Sequence, residues 1–108
     1  MTLSRDFRET VKARADTDTE FRIALLREAV ELLLSGDVET GKALLRNYIN
    51  ASVGFNRLGA VTGKPPKSLM RMLSPQGNPT ANNVFAVIAS LQREEGIRFG
   101  VETDTTRR

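Results

Sequence analysis

The chain contains neither cysteine nor histidine. Without them there is no disulfide framework, no thiolate or imidazole metal ligand, and no Ser-His or Cys-His nucleophile pair. No apolar run approaches the roughly 20 residues that a membrane span needs. The first ten residues, MTLSRDFRET, are too polar for a signal peptide, so a soluble, cytoplasmic protein is the expectation. There is also no internal repeat or low-complexity tract. What remains is ordinary for one globular domain: 108 residues, 40% hydrophobic and 27% charged. A chain of that length closes a single modest core, so help from a partner subunit would not be surprising.

One further absence is local. From Thr40 to Arg93 there is no Asp or Glu, while Lys42, Arg46, Arg57, Lys64, Lys67, Arg71 and Arg93 fall within that window. All 13 acids lie outside it, and the net charge is only +3. A basic segment inside a balanced chain is the footprint of a surface that meets a polyanion, or else a solvated basic face. The acids cluster in charged, solvated N-terminal stretches with no partner constellation for acid–base work. Glu28 and Glu31, three apart, suit a helix surface equally well. The chain is not expected to be an enzyme, to bind a metal or to hold a cofactor.

Helix signals dominate the rest. Residues 4–14 place Phe7 and Val11 at i, i+4, and Asp16-Thr17-Asp18 breaks that helix. Thr17 with Glu20 reads as a capping box for a second helix that runs to about Leu34 and ends at Ser35-Gly36. Its broad apolar face includes Phe21, Leu25, Ala29, Leu32 and Leu34 and suggests burial on two sides, in part against another chain. Asp37 caps a third helix over 38–51. A fourth over 55–62, with Phe55, Leu58 and Val61 inward, closes at Gly63. After the turn SPQGNP, Thr80 caps a helix to about Glu95 anchored by Val84, Phe85, Ile88 and Leu91, with Gly96 as its C-terminal cap. IRFGV alternates Ile97, Phe99 and Val101, which predicts a short strand that pairs with a strand of a toxin or the other protomer or else stays loosely ordered. The tail DTTRR is expected to be disordered.

The stretch GKPPKSLMRML, residues 63–73, is the most informative. Two prolines suit the first turn of a helix, where no N–H donor is needed. Leu69, Met72 and Leu73 then recur at i, i+3, i+4 and form a buried stripe, leaving Lys67, Ser68, Met70 and Arg71 outward. A short helix anchored from behind, with a rigid start and basic and hydroxyl groups in front, has the geometry of a helix laid in the major groove. The preceding FNRLGAVTG supplies a short helix with the small residue Gly59 at the approach, so the pair reads as a helix-turn-helix unit. Ser68 either reads DNA or bonds its own backbone. Met70 reads as an exposed gap-filler, and Asn82 and Asn83 as residues of a helix start.

At residues 54–91, GFNRLGAVTGKPPKSLMRMLSPQGNPTANNVFAVIASL, the chain resembles the helix-turn-helix core of the Xre/Cro superfamily. The carrying pattern is Leu-small-x-x-x-Gly, then a helix with a buried aliphatic and an Arg, then Gly-Asn-Pro-Thr before an apolar helix. With the extension beginning LSRDF, the more general likeness over roughly 3–101 is to HigA-like addiction-module antidote proteins. The resemblance implies an all-α, five- to six-helix bundle with a lambda-repressor-like helix-turn-helix and a short C-terminal strand. Residues 1–36 would be an N-terminal helical extension, 37–95 the helix-turn-helix domain, and 96–108 the strand and tail.

It also implies a homodimer that binds double-stranded operator DNA, represses its own operon and neutralises a RelE/HigB-like toxin through the N-terminal helices and the strand. Carried onto this sequence, Lys67, Ser68 and Arg71 would read base edges, while Asn56, Lys64 and Asn78 would contact the phosphate backbone. Backbone N–H groups at the start of the 55–62 helix would add a further contact. Two positions depart from the pattern. Pro66 stands where Gln, Ser or Thr is common, which removes one hydrogen-bonding group, and Gly59 replaces the commoner Ala at about 1 kcal/mol in helix propensity. Two other readings stay open: a protein-interaction module that no longer binds DNA, and a standalone repressor without a toxin.

Overall fold

The computed structural model describes residues 5–105 and, within them, all side chains except those of residues 8, 11, 12, 15 and 16. Six helices follow one another: α1 (Arg5–Thr17), α2 (Thr19–Leu34), α3 (Val38–Ala51), α4 (Phe55–Thr62), α5 (Pro66–Met72) and α6 (Ala81–Glu95). The expected pairing of Phe7 with Val11 lies outside the described side chains, and the tail expectation lies in part beyond residue 105.

Most helix ends follow their capping chemistry. Asp37 accepts from the Thr40 N–H at 3.3 Å and Thr80 from the Asn83 N–H at 3.2 Å, so each satisfies a donor that the first turn leaves free. One cap differs from expectation. Asp18, not Thr17, opens α2: its carboxylate accepts from the Phe21 N–H at 3.0 Å, while the Thr17 hydroxyl donates back to Arg14 O. Both residues offer an oxygen, but only Asp18 leaves the helical conformation (φ −132°) and can turn its side chain onto the new helix. α1 thus runs three residues further than predicted, and the Arg14 guanidinium lies 4.6 Å from the Phe21 ring, joining the two helices at the corner.

The core draws on every helix from α2 to α6. It holds Leu26 and Ala29, then Leu45, Tyr48 and Ile49, with Leu58, Leu69 and Leu91 behind the short helices. Two apolar assignments change. Phe85 is 62% exposed, because the inward stripe of α6 is the half-buried Val84 followed by the buried Val87, Ile88 and Leu91 at i, i+3, i+4, i+7, and Phe85 falls a hundred degrees off it. Leu34, the last residue of α2, is 74% exposed, since the chain turns away at Gly36 (φ +92°) before anything covers it.

The C-terminal strand is not formed: no strand occurs among the described residues. The alternation there is real, and its backbone need is met another way. Ile97 and Phe99 fold back onto the core, and the Phe99 N–H donates to the Gln92 side-chain oxygen at 2.7 Å. Val101 points out at 97% exposure.

Glu95 accepts from Arg22 Nε at 2.8 Å and from the Tyr48 hydroxyl, locking α2, α3 and α6 together. The Arg22 hydrogen bonds hold the Glu95 carboxyl below its ordinary value against the opposing effect of burial. Burial and the neighbouring Glu95 push the Tyr48 phenol upward. Among the described residues no buried side-chain nitrogen or oxygen lacks a hydrogen-bond partner.

Candidate nucleic-acid interface

Gly54 opens α4 at φ +82° and Gly63 closes it at φ +72°, both conformations that an L side chain avoids. Pro65 is the N-cap of α5 and Pro66 its first residue, one position later than the two-proline first turn that the sequence suggests. Pro65 O accepts from the Leu69 N–H at 3.1 Å, so the rigid entrance leads straight into the helix.

The close approach of α4 to this entrance requires Gly59. A Cβ there would stand 2.9 Å from Lys64 O and 3.0 Å from the Pro66 ring. Lys64 O and the Pro66 ring thus fill the space that an Ala methyl at position 59 would occupy.

α5 divides its side chains as the spacing predicts. Leu69 and Leu73 are fully buried and Met72 half-buried, while Lys67, Ser68, Met70 and Arg71 are exposed. Its far end is fixed by cations from α3. The Arg46 guanidinium donates to Leu73 O, and Lys42 Nζ donates to Ser74 O at 3.0 Å and Gly77 O at 2.7 Å. Cations at a helix C-terminus meet its negative dipole end and its free carbonyls. Lys42 is 2% exposed and takes its third partner from Glu39 at 3.1 Å. Gly77 is required in the same turn, because a Cβ there would collide with the carbonyls of Arg71 and Met72.

These contacts change the meaning of the acid-free window. The window lacks acids in sequence, but the acids at its borders fold back onto it. Glu39 pairs with Lys42, and Glu94 with Arg57 at 3.1 Å. Arg46 is spent on Leu73 O and Arg93 on the Ser90 hydroxyl at 3.0 Å. Lys64, Lys67 and Arg71 remain, with no side-chain hydrogen bond or ion pair among the described residues. They lie on α5 and on the turn leading into it.

Ser68, Arg71 and Asn78 line one hollow of about 360 Å³ between α5 and the start of α6. Gln76, Thr80 and Asn83 add further polar groups to it. Asn83 reads in sequence as a helix-entry residue in preference to a DNA ligand, and here it lines the hollow while its N–H serves the Thr80 cap. Lys67 stands on the exposed face of α5 outside that hollow, Lys64 is half-buried in the α4–α5 turn, and Asn56 is exposed at the second position of α4. Ser68 does not bond its own backbone, whereas the hydroxyls of Ser35, Ser52 and Ser74 each donate to a carbonyl three or four residues back.

Chemically, this face offers donors and cations without a carboxylate among the residues named. Among the described residues no group of three or more carboxylates converges as a metal site, and no helix is long and apolar enough to cross a membrane. Comparison with protein-family models, curated proteins and solved structures found no match.

Proposed function

We propose that the chain is a sequence-specific DNA-binding repressor of the Xre helix-turn-helix type, without enzymatic activity. In this reading α4 and α5 form the motif, and a homodimer binds operator DNA upstream of its own operon. Lys67, Ser68 and Arg71 read base edges, and Asn56, Lys64 and Asn78 hold the phosphates. The observation that carries it is the allocation of charge. Of the window's cations, Lys42, Arg46, Arg57 and Arg93 are engaged within the fold, and the three left over sit on α5, whose two ends are fixed, and on the turn leading into it.

The antitoxin role, as partner of a RelE-like toxin in a type II operon, extends this reading on the strength of the sequence resemblance. A small ribonuclease-like protein in the adjacent reading frame supports it, and its absence leaves a standalone repressor. A pure protein-interaction role is the second reading, favoured by the exposed apolar residues Leu34 and Phe85.

A competition gel shift on the chain's own upstream region separates the two. The repressor reading expects wild type to prefer that fragment over unrelated DNA. It expects Arg71→Ala and Lys67→Ala each to cost about 1–3 kcal/mol of binding with stability nearly unchanged. Wild type that shows no preference for its own promoter fits the interaction role instead.

A further inference from the structure

Six large apolar side chains are exposed among the described residues, and four of them, Leu34, Val38, Phe85 and Val101, lie along one connected face. The face is built from two hollows. One, of about 370 Å³, lies between α2, α3 and α6 and is rimmed by Leu34, Val38 and Phe85. The other, of about 450 Å³, lies between α2 and the segment 98–102 and contains Phe99 and Val101. Val30 and Leu34 line both. A contiguous apolar patch of this kind marks a surface that another molecule covers.

The charges around the second hollow indicate which molecule. Arg27, Glu31, Arg98 and Glu102 ring it, two cations and two anions, and all four are exposed with no side-chain hydrogen bond or ion pair among the described residues. With two charges of each sign, the ring offers neither a nucleic acid nor a strongly basic protein a net attraction. A surface carrying equal numbers of both signs is complementary to itself, because a two-fold axis can bring each cation of one copy to an anion of the other.

We infer that the Leu34-centred face is where a second copy of this chain docks, forming an isologous pair. For its purpose the inference rests on the repressor reading, since one seven-residue helix reaches a single half-site and an operator has two. For its test it rests on the face alone. The first hollow also shares Gly77, Asn78 and Pro79 with the hollow beside α5, so pairing and DNA contact meet at one turn.

The test is sedimentation velocity on wild type, Leu34→Asp and Met70→Asp, with a thermal melt to show that each is folded. Leu34 is 74% exposed, so a charge there leaves the fold intact. Wild type should be a dimer, Leu34→Asp should weaken the dimer by about tenfold or more, and Met70→Asp on the α5 face should leave it unchanged. Two further variants read the charge pattern without knowing which residues pair. Arg27→Glu with Arg98→Glu makes the ring wholly acidic, and Glu31→Arg with Glu102→Arg makes it wholly basic. Each alone should dimerise poorly, and an equal mixture should restore the dimer.

A monomeric wild type would overturn the inference and assign the face to a different protein. So would a Leu34→Asp dimer as tight as wild type, or a mixture of the charge variants that stays monomeric. A wild-type dimer that pairs as described but ignores its own promoter would leave the inference standing and sink the repressor reading.

Discussion

The face of α5 and the face around Leu34 share one turn, residues 77–79, and differ in every other respect. On α5, the unpartnered charges are of one sign, interleaved with a hydroxyl and flanked by amides. Around Leu34 they are of both signs in equal number and surround apolar side chains. Unpaired charge of one sign favours a polyanion, whose phosphates repeat along its length and need no exact register. Unpaired charge of both signs around an apolar centre favours a folded surface with a fixed register. Each set has been left over after the fold satisfied its own needs, and that remainder is more informative than the sequence totals.

The comparison can be broken at the shared turn. Gly77→Ala forces a methyl against the carbonyls of Arg71 and Met72. It should cost about 3 kcal/mol in urea unfolding and weaken pairing and DNA binding together. If only one of the two suffers, the turn does not link them.

A control should lower stability while leaving both faces alone. Glu95→Gln removes the charge that binds Arg22 and Tyr48 between α2, α3 and α6, at a cost of about 2 kcal/mol near neutral pH. The sign of its pH dependence is fixed. Because the folded protein holds the Glu95 carboxyl below its unfolded value, the ionised form stabilises the fold above the unfolded carboxylate pKa. That contribution disappears as pH falls through the folded value. Acid titration of wild type should therefore narrow its advantage over Glu95→Gln, and an advantage that persists in acid would contradict the assignment.

The smallest expected effect sharpens the α5 face alone. Gly59→Ala should cost about 1–2 kcal/mol despite the better helix propensity of alanine, because of the contact with Pro66 and Lys64 O. Combined with Pro66→Ser, part of that cost should be recovered in a double-mutant cycle. Strict additivity would mean that the two residues are not adapted to each other.

What was legible in the sequence was local. Asp37, Thr80, Gly63 and Gly96 mark helix ends through chemistry that acts within a few residues, and the structure has each of them as a cap. The buried stripe of α5 follows from spacing in the same way. What was not legible depends on distant partners. Lys42 reads as surface charge until Ser74 O and Gly77 O are brought to it, and nothing near Glu95 in the sequence announces Arg22, 73 residues away. The 97–101 segment carries a true alternation, but its pairing group is a glutamine side chain on α6 and not a strand. Asp18 and Thr17 both have capping oxygens, and the backbone path chose between them.

The fold leaves three of its seven window cations without a side-chain partner, and in the proposed reading these three meet DNA. The most direct test of that reading is the salt dependence of binding to the chain's own upstream fragment, for wild type, Lys64→Ala and Arg57→Ala. Wild type should lose affinity steeply as salt rises. Lys64→Ala should reduce that slope by about 1 for each site occupied, through the lost phosphate contact. Arg57→Ala should leave the slope unchanged, because Arg57 is paired with Glu94. A wild-type slope near zero, or an Arg57→Ala slope as shallow as that of Lys64→Ala, would contradict the account.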